Sequence, residues 1–215
     1  MKFLRMREPV NTWTHFASFL AGIVGLVFLI VLTYQNPTKL LTMIIYGVSL
    51  IVLFGASALY HWLHVKPKTK LALRKFDHIA IYFFIAGTYT PVVYVGLEGA
   101  WRLTMLICVW SLAIVGMVMK LWFMNVPRMV STIFYVTLGW LAILPFGQFI
   151  DHLPSKAIML LIAGGVAYTV GAVIYATKIF DFIPNKFGFH EIFHIFIMLG
   201  SLAHFLMISM YIVPL

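Results

Sequence analysis

Seven apolar runs, each of about twenty residues or more, are separated by short polar breaks along nearly the whole length of this chain. They lie at 12–34, 40–63, 75–96, 101–123, 128–149, 156–177 and 189–213. Inside hydrocarbon a backbone has no water to bond, so it must satisfy its own N–H and C=O groups, and a run of this length is expected as a helix that crosses the bilayer. The breaks carry turn chemistry: Asn36-Pro37, Lys66-Pro67, Glu98-Gly99, Val126-Pro127, Leu153-Pro154 and Pro184-Asn185. Connections this short make neighbouring helices antiparallel. Charged residues are only 10% of the chain, against about 25% in soluble domains, too few to cover a water-facing surface. The expectation is an all-α, seven-transmembrane-helix bundle forming a single integral-membrane domain over 1–215, with no soluble domain. Met1–Glu8 is basic, but the run after it is long and lacks a small-residue cleavage site, so a retained first span is expected rather than a signal peptide.

Charge then sets direction. Of 15 Lys and Arg residues, twelve fall on the side that holds the N-terminus and the second, fourth and sixth loops: Lys2, Arg5, Arg7, Lys66, Lys68, Lys70, Arg74, Lys75, Lys120, Arg128, Lys178 and Lys186. The other side keeps Lys39, Arg102 and Lys156. By the positive-inside rule the N-terminus is expected in the cytoplasm and the C-terminus outside. That is the reverse of a G-protein-coupled receptor. The same distribution gives the net charge of +9 a topological meaning and removes nucleic acid as a partner. Cys108 is the single cysteine, so no intrachain disulfide is expected.

Ionisable side chains within spans are costly and point to function. Glu8, Asn11 and His15 open the first span; Ser57 and His61 close the second; Asp77 opens the third; His190 and His194 open the seventh. In the expected topology all of them lie in one leaflet. At about 100° per residue, His190, His194, Ser201 and His204 fall near 0°, 40°, 20° and −40°, and Ser57, His61 and His64 form a second stripe near 0°, 40° and −20°. Two histidines at i and i+4 can reach one ion, and His61 from another helix makes three protein ligands. Three ligands plus an open position is the pattern of catalytic zinc, which activates water near neutral pH. Asp77 then holds that water or acts as general base.

Plain structural roles stand beside these. His61 can snorkel to water, Asp77 can cap a helix start, and Ser57 can serve helix packing. Glu8 and Asn11 can be ordinary helix-start residues. His15 is expected to hydrogen-bond between helices without touching an ion, His204 to have a structural partner, and His64 and His78 to be surface histidines. His152 lies in an outer loop with no partner nearby. Tyr60, Tyr82 and Tyr89 are expected as packing or interfacial residues, and Gly87 and Thr88 beside Pro91 as a place of close packing and a local break. His190-Glu191-Ile192-Phe193-His194 formally matches the metalloprotease pattern H-E-x-x-H. Glu191, however, is about 100° from His190 on the helix, and Asp77 is a rival carboxylate, so peptidase chemistry is not expected.

The segments "EPVNTWTH", "SALYH", "FDHIAIYFFIAGTYTP" and "HEIFHIFIMLGSLAHF" together resemble the haemolysin III branch of the progestin and adipoQ receptor (PAQR) family. The resemblance covers essentially the whole chain and looks bacterial in its minimal length. It implies a seven-helix protein of the plasma (bacterial inner) membrane with a cytoplasmic N-terminus. By the adiponectin-receptor branch it implies Zn2+ on His61, His190 and His194, a water-holding carboxylate at Asp77 and a nearby serine at Ser57. The long N-terminal region of those receptors is absent, so hormone binding is not implied. The family also resembles alkaline ceramidases. The foremost expectation is therefore a metal-dependent hydrolase of lipid amides or esters, or a role in membrane-lipid homeostasis, with membrane lipids as partners. Two rivals are a non-enzymatic sensor with structural zinc and a cytolysin. An ion pathway is disfavoured, since the outer half has few polar residues beyond Ser201, His204 and Thr88.

Overall fold

The computed structural model describes residues 6–183 and 187–215. Lys2, Arg5, Lys186 and the Pro184-Asn185 turn lie outside the described residues. The chain is helical almost throughout: α1 Pro9–Thr33, α2 Pro37–Trp62, α3 Pro67–Gly96, α4 Gly99–Trp122, α5 Arg128–Gly139, α6 Phe146–His152, α7 Ser155–Thr177 and α8 Phe189–Met207. The last passes into a π turn at Ile208–Ile212. Pro9, Pro37 and Pro67 occupy the first turns of α1, α2 and α3, where a missing N–H costs nothing and the fixed φ favours helix. Asn36 caps α2 by accepting from the Lys39 N–H at 3.0 Å. α3 begins at Pro67 rather than at 75. Its first two turns are the basic stretch Lys68–Lys75, helical without being apolar, which the span-length criterion alone does not register.

The helices close into a ring. Each of α1 to α4 packs against the next, α5 packs against α4 and α7, α7 against α8, and α8 against α1. α3 also reaches α5, α6 and the π turn, so it lies deepest. Close approaches need glycine at particular points. A Cβ on Gly116 would lie 2.3 Å from the Tyr82 ring, and one on Gly87 would lie 2.1 Å from Ser49 Oγ. The expected close packing at Gly87 is present, but the expected break is not: α3 runs on through Pro91 to Gly96. Tyr46, Tyr82, Phe149 and Met207 are among the fully buried core residues. Val24, Val27 and Val31 on α1, and Ile107, Ile114 and Val118 on α4, face outward. Among the described residues six helices are long and apolar enough to cross a bilayer.

The fifth expected span, 128–149, is not one helix. α5 tightens into a 3-10 turn at Trp140–Ile143, and after Leu144-Pro145 the chain continues as α6, bent by 51°. Pro145 has no N–H to continue the helical ladder. Tyr89 from α3 fills the gap: its hydroxyl donates to the Gly139 carbonyl at 2.6 Å and accepts from the Ala142 N–H at 2.8 Å. An inserted side chain of this kind is a recognised cause of helix bending. Tyr89 is thus more than a packing residue. The two pieces still make one crossing. At one end Arg128 donates to the Tyr175 carbonyl near the end of α7 (3.1 Å), and at the other Gln148 accepts from the Glu98 N–H beyond the end of α3 (3.3 Å). Counted this way the described residues make seven crossings, and the chain is a multi-pass integral membrane protein.

Candidate metal centre and cavity

The candidate site lies at the end of the bundle where α2 and α7 finish and α1, α3, α5 and α8 begin. α2 delivers His61 in its last turn, and α8 delivers His190 and His194 in its first two. The i,i+4 spacing sets the last two on one helix face, as the sequence requires. The ligand-capable atoms of His61, His190 and His194 all lie within 4.8 Å of one another, close enough to share a metal ion. His61 and His194 are buried, and His190 is partly so. His61 Nε2 and His190 Nε2 approach to 3.4 Å. His61 Nδ1 is hydrogen-bonded to the Glu8 carboxylate. An ionised carboxylate only accepts, so this bond puts the ring proton on Nδ1 and leaves the Nε2 lone pair facing the other histidines.

Glu8 precedes α1 and is not just a helix-start residue. Burial pushes its carboxyl pKa upward, but the hydrogen bond from His61 and the neighbouring Arg7 guanidinium outweigh that and hold it below the usual carboxylate range. Arg7 donates to Glu8 at 2.9 Å and stacks over the Tyr60 ring. Asn11 on α1 donates to Glu191 at 2.7 Å, and Glu191 also accepts from the Gly188 N–H at 2.8 Å. Glu191 is therefore committed to the start of α8, consistent with its phase on the helix and unlike a peptidase base.

His15 departs from expectation. Its ring stacks on His194 with centroids 3.7 Å apart and planes at 9°, while neither ring nitrogen has a hydrogen-bond partner among the described residues. It packs as a flat wall behind His194 instead of bonding between helices. His204 is buried at the far end of α8 and donates from Nε2 to the Leu161 carbonyl at 3.2 Å, the structural partner that was expected. His64 is exposed, as expected. His78 is not a free surface group: it is partly buried, bonds to the Arg74 carbonyl at 2.9 Å, lies 3.5 Å from Asp77 and lines the cavity described next. His152 also has neighbours, bonding to the Gln148 carbonyl at 2.8 Å and lying 3.7 Å from Glu98.

A cavity of about 380 Å³ opens beside the histidines. Asp77 and Ser57 line it, with His15, His190 and His194. Asp77 lies outside the convergent trio, and Ser57 is buried one turn from His61. Away from this polar end the wall is largely apolar or aromatic, including Ile81, Ile85, Phe84 and Ile197, and it extends as far as Trp140 and His204. The sequence pointed to His61, His190, His194, Asp77 and Ser57. It placed Glu8 in the same leaflet without giving it a partner at the site, and took His78 for a surface histidine.

Comparison with known proteins agrees with this architecture. A family model described as Haemolysin-III related matches residues 3–205. The chain is 37% identical over 213 residues to the Hemolysin-3 homolog of Bacillus subtilis, covering 98% of this chain and 97% of that one. It is 34% identical over 209 residues to Hemolysin-3 of Bacillus cereus, covering 96% and 92%. It is also 27% identical over 212 residues to the human Monocyte to macrophage differentiation factor, covering 95% and 84%. With a family match spanning nearly all its length and Bacillus relatives aligned end to end, this chain belongs to the haemolysin III-related family, within the wider PAQR group.

Proposed function

We propose that this protein is an intramembrane Zn2+-dependent hydrolase of a lipid amide or ester, working at the cytoplasmic face of a plasma (bacterial inner) membrane. The observation that carries the reading is the convergence of three histidines at the polar end of a long apolar cavity. The donor set fits zinc. Two nitrogens bound tetrahedrally at 2.0–2.1 Å are about 3.3–3.4 Å apart, and the His61 and His190 Nε2 atoms are 3.4 Å apart. Among the described residues the convergent group has no fourth protein ligand, which suits an open catalytic position better than a closed structural one. Bound zinc would supply a Lewis acid that activates water at neutral pH.

In this reading the chain's own groups do the rest. Asp77 accepts a proton from the attacking water and orients it. Ser57 hydrogen-bonds the substrate's carbonyl region from α2. The apolar wall along α3 and α8 holds the acyl chain in line, and its burial excludes competing water. Membrane lipids are then both solvent and substrate source. The cytoplasmic placement rests on the basic side of the bundle and the positive-inside rule, and the whole chain acts as a single membrane domain.

The test is metal content and lipid turnover of the detergent-purified chain. The expected result is about one zinc per chain, lost in His190→Ala/His194→Ala, with hydrolysis of lipid amides or esters that the same pair of changes abolishes. A folded wild type that takes up no zinc removes this reading. A cytolytic role is the second reading, favoured by the names of the Bacillus relatives. Dye release from liposomes at low protein-to-lipid ratio supports it, and tight vesicles exclude it.

A further inference from the structure

The metal site draws its ligands from two helices that hardly meet. α2 packs on α1 and α3, and α8 packs on α7 and α1, while the backbones of α2 and α8 make at most marginal contact. α1 lies between them and packs on both. α1 therefore gives the most direct helix-to-helix connection between His61 and the pair His190 and His194, and the groups at its start are arranged to use it.

On the α2 side the junction is doubled. The Arg7 and Glu8 N–H groups donate to the Trp62 and His61 carbonyls, each at 3.1 Å, capping the end of α2, and the Glu8 carboxylate takes the Nδ1–H of His61. On the α8 side, the Asn11 amide donates to Glu191 Oε1 at 2.7 Å, and Glu191 Oε2 accepts the Gly188 N–H at the start of the helix carrying His190 and His194. The same Asn11 amide nitrogen lies 3.4 Å from Glu8 Oε2. Two carboxylates can only accept, so the amide between them supplies the N–H donors that both need. Asn11 is 1% exposed, and a buried donor–acceptor relay of this kind tolerates little displacement.

We infer that Glu8, Asn11 and Glu191 form a strap across the start of α1 that positions the histidine ligands of α2 and α8 for the metal. The inference rests on the metal-site part of the reading above and assigns positioning residues, not ligands or bases. It also gives the glutamate of the H-E-x-x-H segment a role: it registers α8 against α1. Glu8 orients His61 directly, as outer-shell carboxylates do for zinc-bound imidazoles.

The experiment uses the full chain in detergent, stripped of metal, with Zn2+ titrated against a chelating indicator and Co2+ used as a spectroscopic probe. Glu8→Gln leaves one acceptor oxygen where the carboxylate offers two to Arg7, His61 and Asn11, and Asn11→Asp sets a third carboxylate between Glu8 and Glu191. Both are expected to weaken Zn2+ binding by about 10- to 100-fold and to shift the visible Co2+ band, while the protein stays folded. Ser18→Ala, also on α1 but away from the strap, should leave both readouts unchanged. A group that only holds the helices together would lower the thermal midpoint of the metal-free protein but leave the Co2+ band where it was. Glu8→Gln and Asn11→Asp proteins with wild-type affinity and an unshifted band overturn the strap and leave the zinc site standing. A wild type that binds no metal overturns both. Strap variants with the expected loss, in a protein that hydrolyses no lipid, sustain the strap and remove only the hydrolase.

Discussion

At the residue scale, the proposed function assigns His61, His190 and His194 to holding the metal and Asp77 to acting beside it, and substitution should separate the two roles. His61→Ala and the His190→Ala/His194→Ala pair should abolish zinc retention, since each removes donors from the convergent trio. Asp77→Asn should keep the zinc, because Asp77 lines the cavity without belonging to that trio, yet lower lipid hydrolysis by about 10²- to 10⁴-fold as a lost general base does. Metal analysis and turnover on the same preparations check this, and loss of zinc from a folded Asp77→Asn protein would make it a ligand instead. These residues were legible in the sequence for physical reasons. The i,i+4 pair follows from helical periodicity, and the depth of His61 and Asp77 follows from counting along spans. Glu8 and Asn11 were not legible in the same way. An acid and an amide at a helix start look alike whether they cap their own turn or, as here, bond to His61 and Glu191, 53 and 180 residues away. His78 was hidden too, since a histidine one position after Asp77 gives no sign of turning towards the cavity.

At the scale of elements, six helices were visible in outline, and the exception is instructive. The run 128–149 is apolar enough to suggest one helix, but Pro145 and the inserted Tyr89 hydroxyl bend it. The proline was present in the sequence. The tyrosine 50 residues upstream was not assignable without the packing of α3 against α5. Tyr89→Phe keeps the ring and removes only the hydroxyl, so it leaves the Gly139 carbonyl and the Ala142 N–H without that partner. Both groups belong to the membrane-spanning segment, where lipid offers no replacement partner, so a loss of about 1–3 kcal/mol is expected, read as a lower thermal midpoint in detergent; an unchanged midpoint would show that the hydroxyl does not support the bend. Gly116→Ala tests the α3–α4 contact in the same assay. Its new methyl would lie 2.3 Å from the buried Tyr82 ring, and overpacking of this kind costs about 1–3 kcal/mol.

At the scale of the whole molecule, the number of crossings decides on which sides of the membrane the two ends stand. Arg128–Ile143 rises about 24 Å, short of a hydrocarbon core of about 30 Å. Phe146–His152, tilted by 51°, adds about 7 Å along the same direction. Together they just span the core, and neither piece does so alone. The segments joined to them agree: Arg128 meets the end of α7, and Gln148 meets the turn after α3, at the opposite end of the bundle. Seven crossings and the basic bias of one side predict a definite labelling pattern. In a Cys108→Ser background, single cysteines at Gln35 and Ser155 should react with a membrane-impermeant maleimide on intact cells, whereas those at Lys68 and Asn125 should react only after permeabilisation. All four positions are exposed. Asn125 and Ser155 flank the bent span, so their contrast carries the argument. If both label from the same side, the bent pair is a re-entrant hairpin and the bundle has six crossings. If they label from opposite sides but all four assignments are exchanged, the crossings stand and the positive-inside assignment fails. In that event the histidine site and the mouth of its cavity face outward, and the lipid would be drawn from the other leaflet.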